Sequence, residues 1–213
     1  MLHIVHPYTF KAKGKTLMFG PIKEYRERDS KLSRLVKTAL SYRYPVFVHE
    51  RITGDISPLL EAASLKSDDL FAPLFSPRVK WIGTDEYGKP IHYSKPDDVS
   101  PEVWEHLLEK TVTHLQFVDL VGEPDEILVC GGEFSSCEGN FMDYIDGHFR
   151  KFDRRFYIPE LSVVSSEDMH LKDETTADLK ALGFNPVSYE EALGIVGPPA
   201  FSHSSQYNSQ NQQ

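Results

Sequence analysis

Short apolar runs alternate with segments of helical periodicity along most of the chain. Residues 2–5, 16–19 and 46–48 are apolar runs of a length that is typical of strands. A helix is predicted between the second and third runs, because apolar side chains recur there at helical spacing. We expect Asp29 or Ser30 to cap its N-terminus, since short polar side chains satisfy the first backbone N–H groups of a helix. The apolar stripe of this helix comprises Leu32, Leu35, Val36, Ala39 and Leu40.

The middle of the chain has a less regular pattern. A helix is predicted to begin at Ser57, which precedes a proline that suits the first helical turn. Residues 79–82 and 91–93 are apolar runs on either side of a turn, and together they predict a β-hairpin. The longest helix is expected to run from Pro101 to the vicinity of Gly122, because apolar residues recur at helical spacing between them.

An apolar run, a glycine turn and another helical pattern follow one another in the second half of the chain. Residues 127–130 predict a strand buried on both faces, and the glycines at 131–132 allow the backbone to turn sharply. Ser135 and Ser136 are expected to cap the next helix, which places Cys137 at its N-terminus. Backbone N–H groups there favour a thiolate and can bind an oxyanion, so Cys137 is a candidate nucleophile. A free cysteine is also often a small buried apolar residue, and this second interpretation stays open.

Strand and helix patterns continue to the end of the predicted fold. Residues 155–158 and 161–164 are predicted strands, and 175–182 is a predicted helix. A short last strand at 186–187 precedes a capping box at 188–191, which opens a final helix. Because strands alternate with helices nearly throughout, we predict a three-layer α/β/α fold with a mostly parallel sheet of about six strands.

The composition fits a globular protein and excludes several classes. With 40% hydrophobic and 26% charged residues, the chain can bury an ordinary core, and we expect one domain over residues 1–200. The net charge of -9 argues against a broad nucleic-acid surface, which needs an excess of basic side chains. No apolar run is long enough for a transmembrane helix, so no membrane partner is expected. Residues 201–213 are a Ser-, Asn- and Gln-rich tail that we expect to be mobile.

The cellular location is predicted from the first residues and from the cysteines. The N-terminus lacks the charged and apolar regions of a signal peptide. Cys130 and Cys137 lie too close in sequence, one in a strand and one after a turn, to suggest a disulfide framework. We therefore expect a cytoplasmic protein.

Four segments resemble, in order and spacing, those of the isochorismatase-like cysteine hydrolases, a family that includes nicotinamidases and related amidases. They are YPVFVHE, YSKPDDVSPEVWEHLL, ILVCGGEFSSCEG and the run from VVSSED to EEAL. The third is similar to the family's VxGxxTxxCV box, with Gly131 as far before Cys137 as that box requires. Together the four segments fall within residues 30–195.

The resemblance implies a chemistry as well as an isochorismatase-like fold. Cys137 would attack a carbonyl or imine carbon and form an acyl-enzyme that water releases, and Lys95 would stabilise charge. Gly132, Glu133 and Ser136 would bind the substrate or its oxyanion. The implied substrate is a small amide or a related C–N, ester or vinyl-ether compound. The family often forms dimers or tetramers, so a homodimer or higher homo-oligomer is expected.

The sequence also departs from the family's pattern. The aspartate at the end of the family's first strand has no counterpart here, and His6 takes its position, so His6, or less readily Glu133, would supply the base. The family's box often has a cis peptide just after its glycine, which points to the Gly132–Glu133 bond. The family's D-x-H metal motif is not visible after residues 46–48, so we expect no metal ion and no cofactor. His3 and His6 are spaced as metal ligands sometimes are, but a strand places such positions on opposite faces.

Three interpretations follow from these observations. The chain is a divergent cysteine hydrolase of small substrates, or a non-catalytic protein of the same fold that binds a small molecule or a protein partner. In the third, it is an unrelated α/β protein in which Cys137 only fills space in the core.

Overall fold

The fold was analysed in a computed structural model of the chain. The residues that it describes are 1–7, 11–12, 15–16, 22–51, 72–84, 111–112, 125–148, 153–162 and 172–198. Several predictions therefore lie outside the described residues: the helix at Ser57, the apolar run 91–93, Lys95, the tail 201–213, the longest helix except at 111–112, and positions 17–19 and 163–164 of two predicted strands.

A parallel sheet forms the centre of the fold. Its strands are β1 Leu2–Val5, β4 Val46–Arg51, β5 Val79–Thr84, β6 Thr111–Val112, β7 Glu126–Cys130, β8 Arg154–Tyr157 and β9 Phe184–Pro186. Every pairing between neighbours is parallel, and the spatial order is β6-β5-β4-β1-β7-β8-β9. A separate antiparallel pair consists of β2 Lys11–Ala12 and β3 Lys15–Thr16. The described sheet thus has seven strands, where the sequence predicted about six.

Strand β6, which brings the described sheet to seven strands, corrects one prediction. Residues 111–112 were expected inside the longest helix, but they pair with β5 as strand β6, with Trp81 opposite Thr111 and Ile82 opposite Val112. Thr111 and Val112 are β-branched, and such side chains fit a pleated surface better than a helix. Helical spacing of neighbouring apolar residues could not reveal a strand partner thirty positions away.

The first helix begins earlier than predicted. Helix α1 spans Ile22–Ser41, so Asp29 and Ser30 lie inside it and do not cap it. The prediction failed because it searched for an apolar stripe, whereas the first turns of α1 are rich in charged residues. Charged residues such as Glu, Lys and Arg form helices well without contributing to an apolar face.

Helices cover both faces of the sheet. The remaining α-helices in the described part of the chain are α2 Gly139–His148, α3 Lys172–Ala181 and α4 Tyr189–Val196. Buried side chains of α1 and α4 pack with Leu2 and Ile4 of β1 on one face. Those of α2 and α3 pack with Val5 of β1 and with β7 on the other face. The predicted three-layer α/β/α architecture is confirmed.

The last third of the fold follows its predicted signals closely. Gly183 ends the α3 segment with a φ of 81°, a conformation that glycine adopts without strain. The Ser188 capping box is present at the start of α4. The predicted strand at 161–164 is wrong at its first position, because a 3-10 turn, Pro159–Leu161, follows β8. Pro159 lacks the backbone N–H that a continuing strand needs.

The centre of the sheet is a topological switch point. β1 and β7 are adjacent, with Leu2 opposite Leu128 and Ile4 opposite Cys130. From β1 the chain continues through α1 to β4 on one side, and from β7 it continues through α2 to β8 on the other. Ligands of open α/β sheets bind outside the carboxyl ends of strands at such a point. Among the described helices, none is long and apolar enough to cross a membrane.

Candidate functional site

Two glycines bring the end of β7 against the end of β1. Gly131 and Gly132 have φ angles of 84° and 64°, which side chains other than glycine rarely tolerate. A Cβ atom at Gly131 would lie 2.8 Å from the Val5 carbonyl oxygen. A Cβ atom at Gly132 would lie 3.0 Å from the same oxygen and 2.8 Å from the sulfur of Cys137. The missing side chain of Gly132 therefore leaves just enough room for the sulfur to approach the end of β1.

The segment that carries Cys137 is a π-helical turn. It spans Phe134–Glu138 and leads directly into α2, so Cys137 lies in the first helical turn after β7, as predicted. Ser135 and Ser136 were expected to cap this helix, but they lie inside the turn and Glu133 occupies the N-cap position without a side-chain bond. The Glu133 carbonyl oxygen accepts from the N–H groups of Ser136 and Glu138, both at 3.1 Å. That carbonyl group closes the turn. Because it already accepts from the N–H groups of Ser136 and Glu138, neither N–H is left to donate to a capping serine hydroxyl.

The Cys137 side chain lies at the edge of an apolar cluster. It is 7% exposed and packs with Phe134 and Phe141. The backbone N–H of Glu133 donates a hydrogen bond to the sulfur at 3.2 Å. The sulfur also lies 3.9 Å from the Glu133 carbonyl oxygen, to which the thiol can donate. The first contact favours the thiolate and the second favours the thiol.

The residues predicted to bind an oxyanion lie beside this sulfur. Gly132 and Glu133 contact it directly, whereas the N–H of Ser136 is directed to the Glu133 carbonyl oxygen. The expected cis bond between Gly132 and Glu133 is not found, and no cis peptide occurs among the residues that the structure describes. The turn is achieved instead by the two positive φ angles, so every peptide can stay trans.

His6 lies at the carboxyl end of β1, next to the sulfur-bearing turn. Its φ of 42° is positive, which is uncommon and strained for a residue other than glycine. Its backbone N–H donates to the carbonyl oxygen of His49 at 2.8 Å. Its ring atom Nε2 lies 2.8 Å from Oγ1 of Thr84, the last residue of β5. The ring is thus directed across the end of β4, and His6 lies at the switch point, while its role as a base stays a prediction.

A buried histidine pair joins β1 to β4 below this edge. Nδ1 of His3 lies 2.9 Å from Nε2 of His49, and both side chains are fully buried. Burial lowers the pKa of both rings far below the usual value, with the neighbouring histidine as a second cause: His49 for His3, and His6 for His49. Both rings are therefore neutral at physiological pH. Within the described ranges, no three His, Cys, Asp or Glu side chains could together hold a metal ion.

Glu138 is a buried acid that the sequence analysis missed. Its side chain is fully buried, and neither carboxyl oxygen has a hydrogen-bond partner among the described residues. Burial raises the pKa of this carboxyl group well above its usual value, while Ser162 and the charge of Arg28 oppose the shift. The Ser162 hydroxyl donates to the Ile158 carbonyl oxygen at 3.3 Å, so it does not satisfy the carboxyl group. One signal was present in the sequence: Glu138 stands three positions before Phe141, in line with the apolar stripe that begins in the next helix.

Comparisons with protein-family models, with curated proteins and with solved structures returned no match for this chain.

Proposed function

We propose that the chain is a cysteine hydrolase of small amides or related compounds, and a divergent relative of the isochorismatase-like hydrolases. One observation carries the proposal. The sulfur of Cys137 lies at the switch point of a parallel sheet, fixed by the N–H of Glu133 and pressed against Gly132 beside the end of β1. The carboxyl edge of a parallel sheet at a switch point is where ligands of open α/β folds bind.

The proposed reaction has two steps. His6 accepts the thiol proton of Cys137, the sulfur forms a bond to the substrate carbonyl carbon, and the C–N bond breaks as the nitrogen takes up the proton. Water then attacks the thioester, which releases the acid and restores the thiol. Lys95 would stabilise the negative charge on the oxygen, as the family resemblance suggests.

A second candidate function has its own support. The sulfur of Cys137 is only 7% exposed, and Nε2 of His6 is engaged with Thr84. Both observations suit a protein that keeps the pocket of a hydrolase but only binds a small molecule or a partner.

Alkylation by iodoacetamide separates the two candidates, and Cys130 provides an internal control. Cys130 is fully buried, and burial, with Glu138 as a second cause, raises the pKa of its thiol well above the usual value. For a hydrolase we expect Cys137 to react at pH 7 about a hundredfold faster than Cys130, measured by mass spectrometry of each cysteine-containing peptide.

The variants Cys137→Ser and Cys130→Ser complete the test. The fast phase of alkylation, which is the reaction of Cys137, should be absent from Cys137→Ser and present in Cys130→Ser. Only Cys130→Ser should release ammonia from a panel of primary amides. Equal, slow alkylation of both cysteines together with no ammonia release would exclude the hydrolase and leave the binding protein.

A further inference from the structure

Thr84 is a buried polar residue that the proposed reaction does not yet use. It is the last residue of β5, and its side chain is fully buried. One strand, β4, lies between β5 and β1 in the sheet. Its hydroxyl group nevertheless meets the ring of His6, with Oγ1 2.8 Å from Nε2. The interaction spans the carboxyl edge of three adjacent strands.

His6 is held from two sides in a conformation that costs energy. Its backbone N–H is bonded to the His49 carbonyl oxygen, and its ring is bonded to Thr84. Its positive φ is sparsely populated by residues other than glycine, and such strain persists only where the surroundings enforce it. Strained residues of this kind cluster at functional sites. The hydrogen bond to Thr84 therefore holds a strained candidate site residue in place as well as satisfying a buried hydroxyl group.

The hydrogen bond to Thr84 determines the tautomer of a neutral His6 ring. One ring nitrogen carries a hydrogen and donates, and the other accepts. If Nε2 donates to the Thr84 hydroxyl, Nδ1 is the nitrogen that can take a proton. If the hydroxyl donates to Nε2 instead, Nδ1 already carries a hydrogen and the ring offers no basic nitrogen away from Thr84. The role of Nε2 in the bond to Thr84, as donor or acceptor, therefore fixes which ring nitrogen is the basic one.

We propose that Thr84 is a positioning residue for His6: its hydroxyl oxygen accepts a hydrogen bond from Nε2–H and so keeps Nδ1 as the basic nitrogen that receives the Cys137 proton. The catalytic part of this inference rests on the proposed hydrolase function. The tautomer of His6 does not, and it is measured separately below.

The tautomer is the first readout. Two-bond proton–nitrogen correlation spectra of ¹⁵N-histidine-labelled protein distinguish the two neutral forms, and the spectrum of a His6→Gln variant assigns the His6 signals. Above pH 8 we expect His6 as the Nε2–H form in the native chain and in Thr84→Ser, which keeps the hydroxyl group. We expect mixed tautomers in Thr84→Val, which replaces the hydroxyl with a methyl group of similar size. An Nδ1–H form in the native chain would overturn the proposal.

The second readout is the pH profile of Cys137 alkylation. Thr84→Val should slow alkylation at pH 7 by about fivefold, the effect of one ordinary hydrogen bond, and should shift the pH at which the rate rises. Thr84→Ser should restore the native profile. Thr38→Val removes a hydroxyl group that bonds only to the Arg34 carbonyl oxygen within α1, and it should leave the profile unchanged. A Thr84→Val profile that matches the native one would also overturn the proposal.

The two readouts fail in different ways. If Cys137 proves unreactive but His6 is the Nε2–H form and responds to Thr84→Val, the hydrolase proposal is wrong and the positioning by Thr84 stands. If Cys137 is reactive and His6 is the Nδ1–H form, the thiol is activated without Nδ1 of His6 as its base, and the positioning by Thr84 is wrong.

Discussion

Glu138 is the residue whose surroundings suit its ionised form least. A carboxylate in this fully buried position, with no hydrogen-bond partner among the described residues, is costly, and burial therefore raises the pKa of the group in the folded protein. In the unfolded chain the same group ionises above a pH of about 4.5. Its contribution to stability is therefore complete below that pH and is lost as the pH rises towards the folded-state pKa.

Replacing Glu138 by Gln should stabilise the fold increasingly as the pH rises. We expect the free energy of unfolding of Glu138→Gln to exceed that of the native chain by about 1–2 kcal/mol at pH 7.5 and to approach it near pH 4.5. Urea denaturation at a series of pH values measures the difference. Asp143→Asn, which changes an exposed carboxylate on α2, the helix that follows Glu138, should have little effect at any pH. A loss of stability in Glu138→Gln at pH 7.5 would show that the charged form is favoured in the fold.

At the residue scale the sequence predicted some site features and missed others. The position of Cys137 followed from a local pattern of strand, glycines and helix. The roles of Thr84 and Glu138 could not be predicted from a local pattern, because they depend on which side chains surround these residues in the fold. The meeting of Thr84 with His6 requires the sheet order, and the isolation of Glu138 requires knowledge of every neighbouring side chain.

At the element scale, the capping box at Ser188 was predicted correctly, whereas the caps expected at Asp29 or Ser30 and at Ser135 or Ser136 were wrong. Ser188 and Glu191 form a reciprocal cap: the Ser188 hydroxyl accepts from the Glu191 N–H at 3.3 Å, and a Glu191 carboxyl oxygen accepts from the Ser188 N–H at 2.7 Å. The two residues lie close together in the chain, so the cap can be predicted from the sequence. The π-helical turn at Phe134–Glu138 was not readable, because it depends on how closely β7 approaches β1.

The capping box gives a prediction at this scale. Ser188→Ala should lower the free energy of unfolding by about 1 kcal/mol, because the first turn of α4 loses its acceptor. Thermal unfolding followed by circular dichroism measures the loss. Ser41→Ala, which removes a hydroxyl bonded to the Lys37 carbonyl oxygen at the end of α1, is the matched control and should change stability by less than about 0.5 kcal/mol. Equal effects of the two substitutions would contradict the role of the cap.

At the scale of the whole molecule, the layered architecture was predictable and the strand order was not. Alternation of strands and helices along the chain indicates a parallel sheet covered on both faces. Nothing local indicates that β1 lies between β4 and β7, and this order creates the switch point. The buried pair of His3 and His49 also depends on it, since it requires β1 and β4 to be neighbours.

That pair predicts how the whole fold responds to acid. Both pKa values are lowered in the folded state, so the pair stabilises the fold fully above a pH of about 6.5 and loses its contribution as the pH falls below the unfolded value. We expect the free energy of unfolding to fall by up to about 1.4 kcal/mol per pH unit for each histidine below pH 6. Urea denaturation between pH 7.5 and 5 measures this slope.

Substitutions identify the source of that slope. His3→Gln should reduce it, whatever it does to stability at pH 7.5. His148→Gln, which changes an exposed histidine at the end of α2, should leave it unchanged. An unaltered slope in His3→Gln would mean that other groups control the acid response.

The absent side chain of Gly132 has a mechanical consequence. Because the sulfur of Cys137 and the carbonyl oxygen of Val5 both border the space that a side chain at Gly132 would fill, the thiol lies directly at the seam between the two halves of the sheet. A slight sliding of one half along the other would displace the sulfur before it disturbed any other group near the seam. The reactivity of a single thiol would then serve as a gauge of how tightly the two halves of the protein are held together.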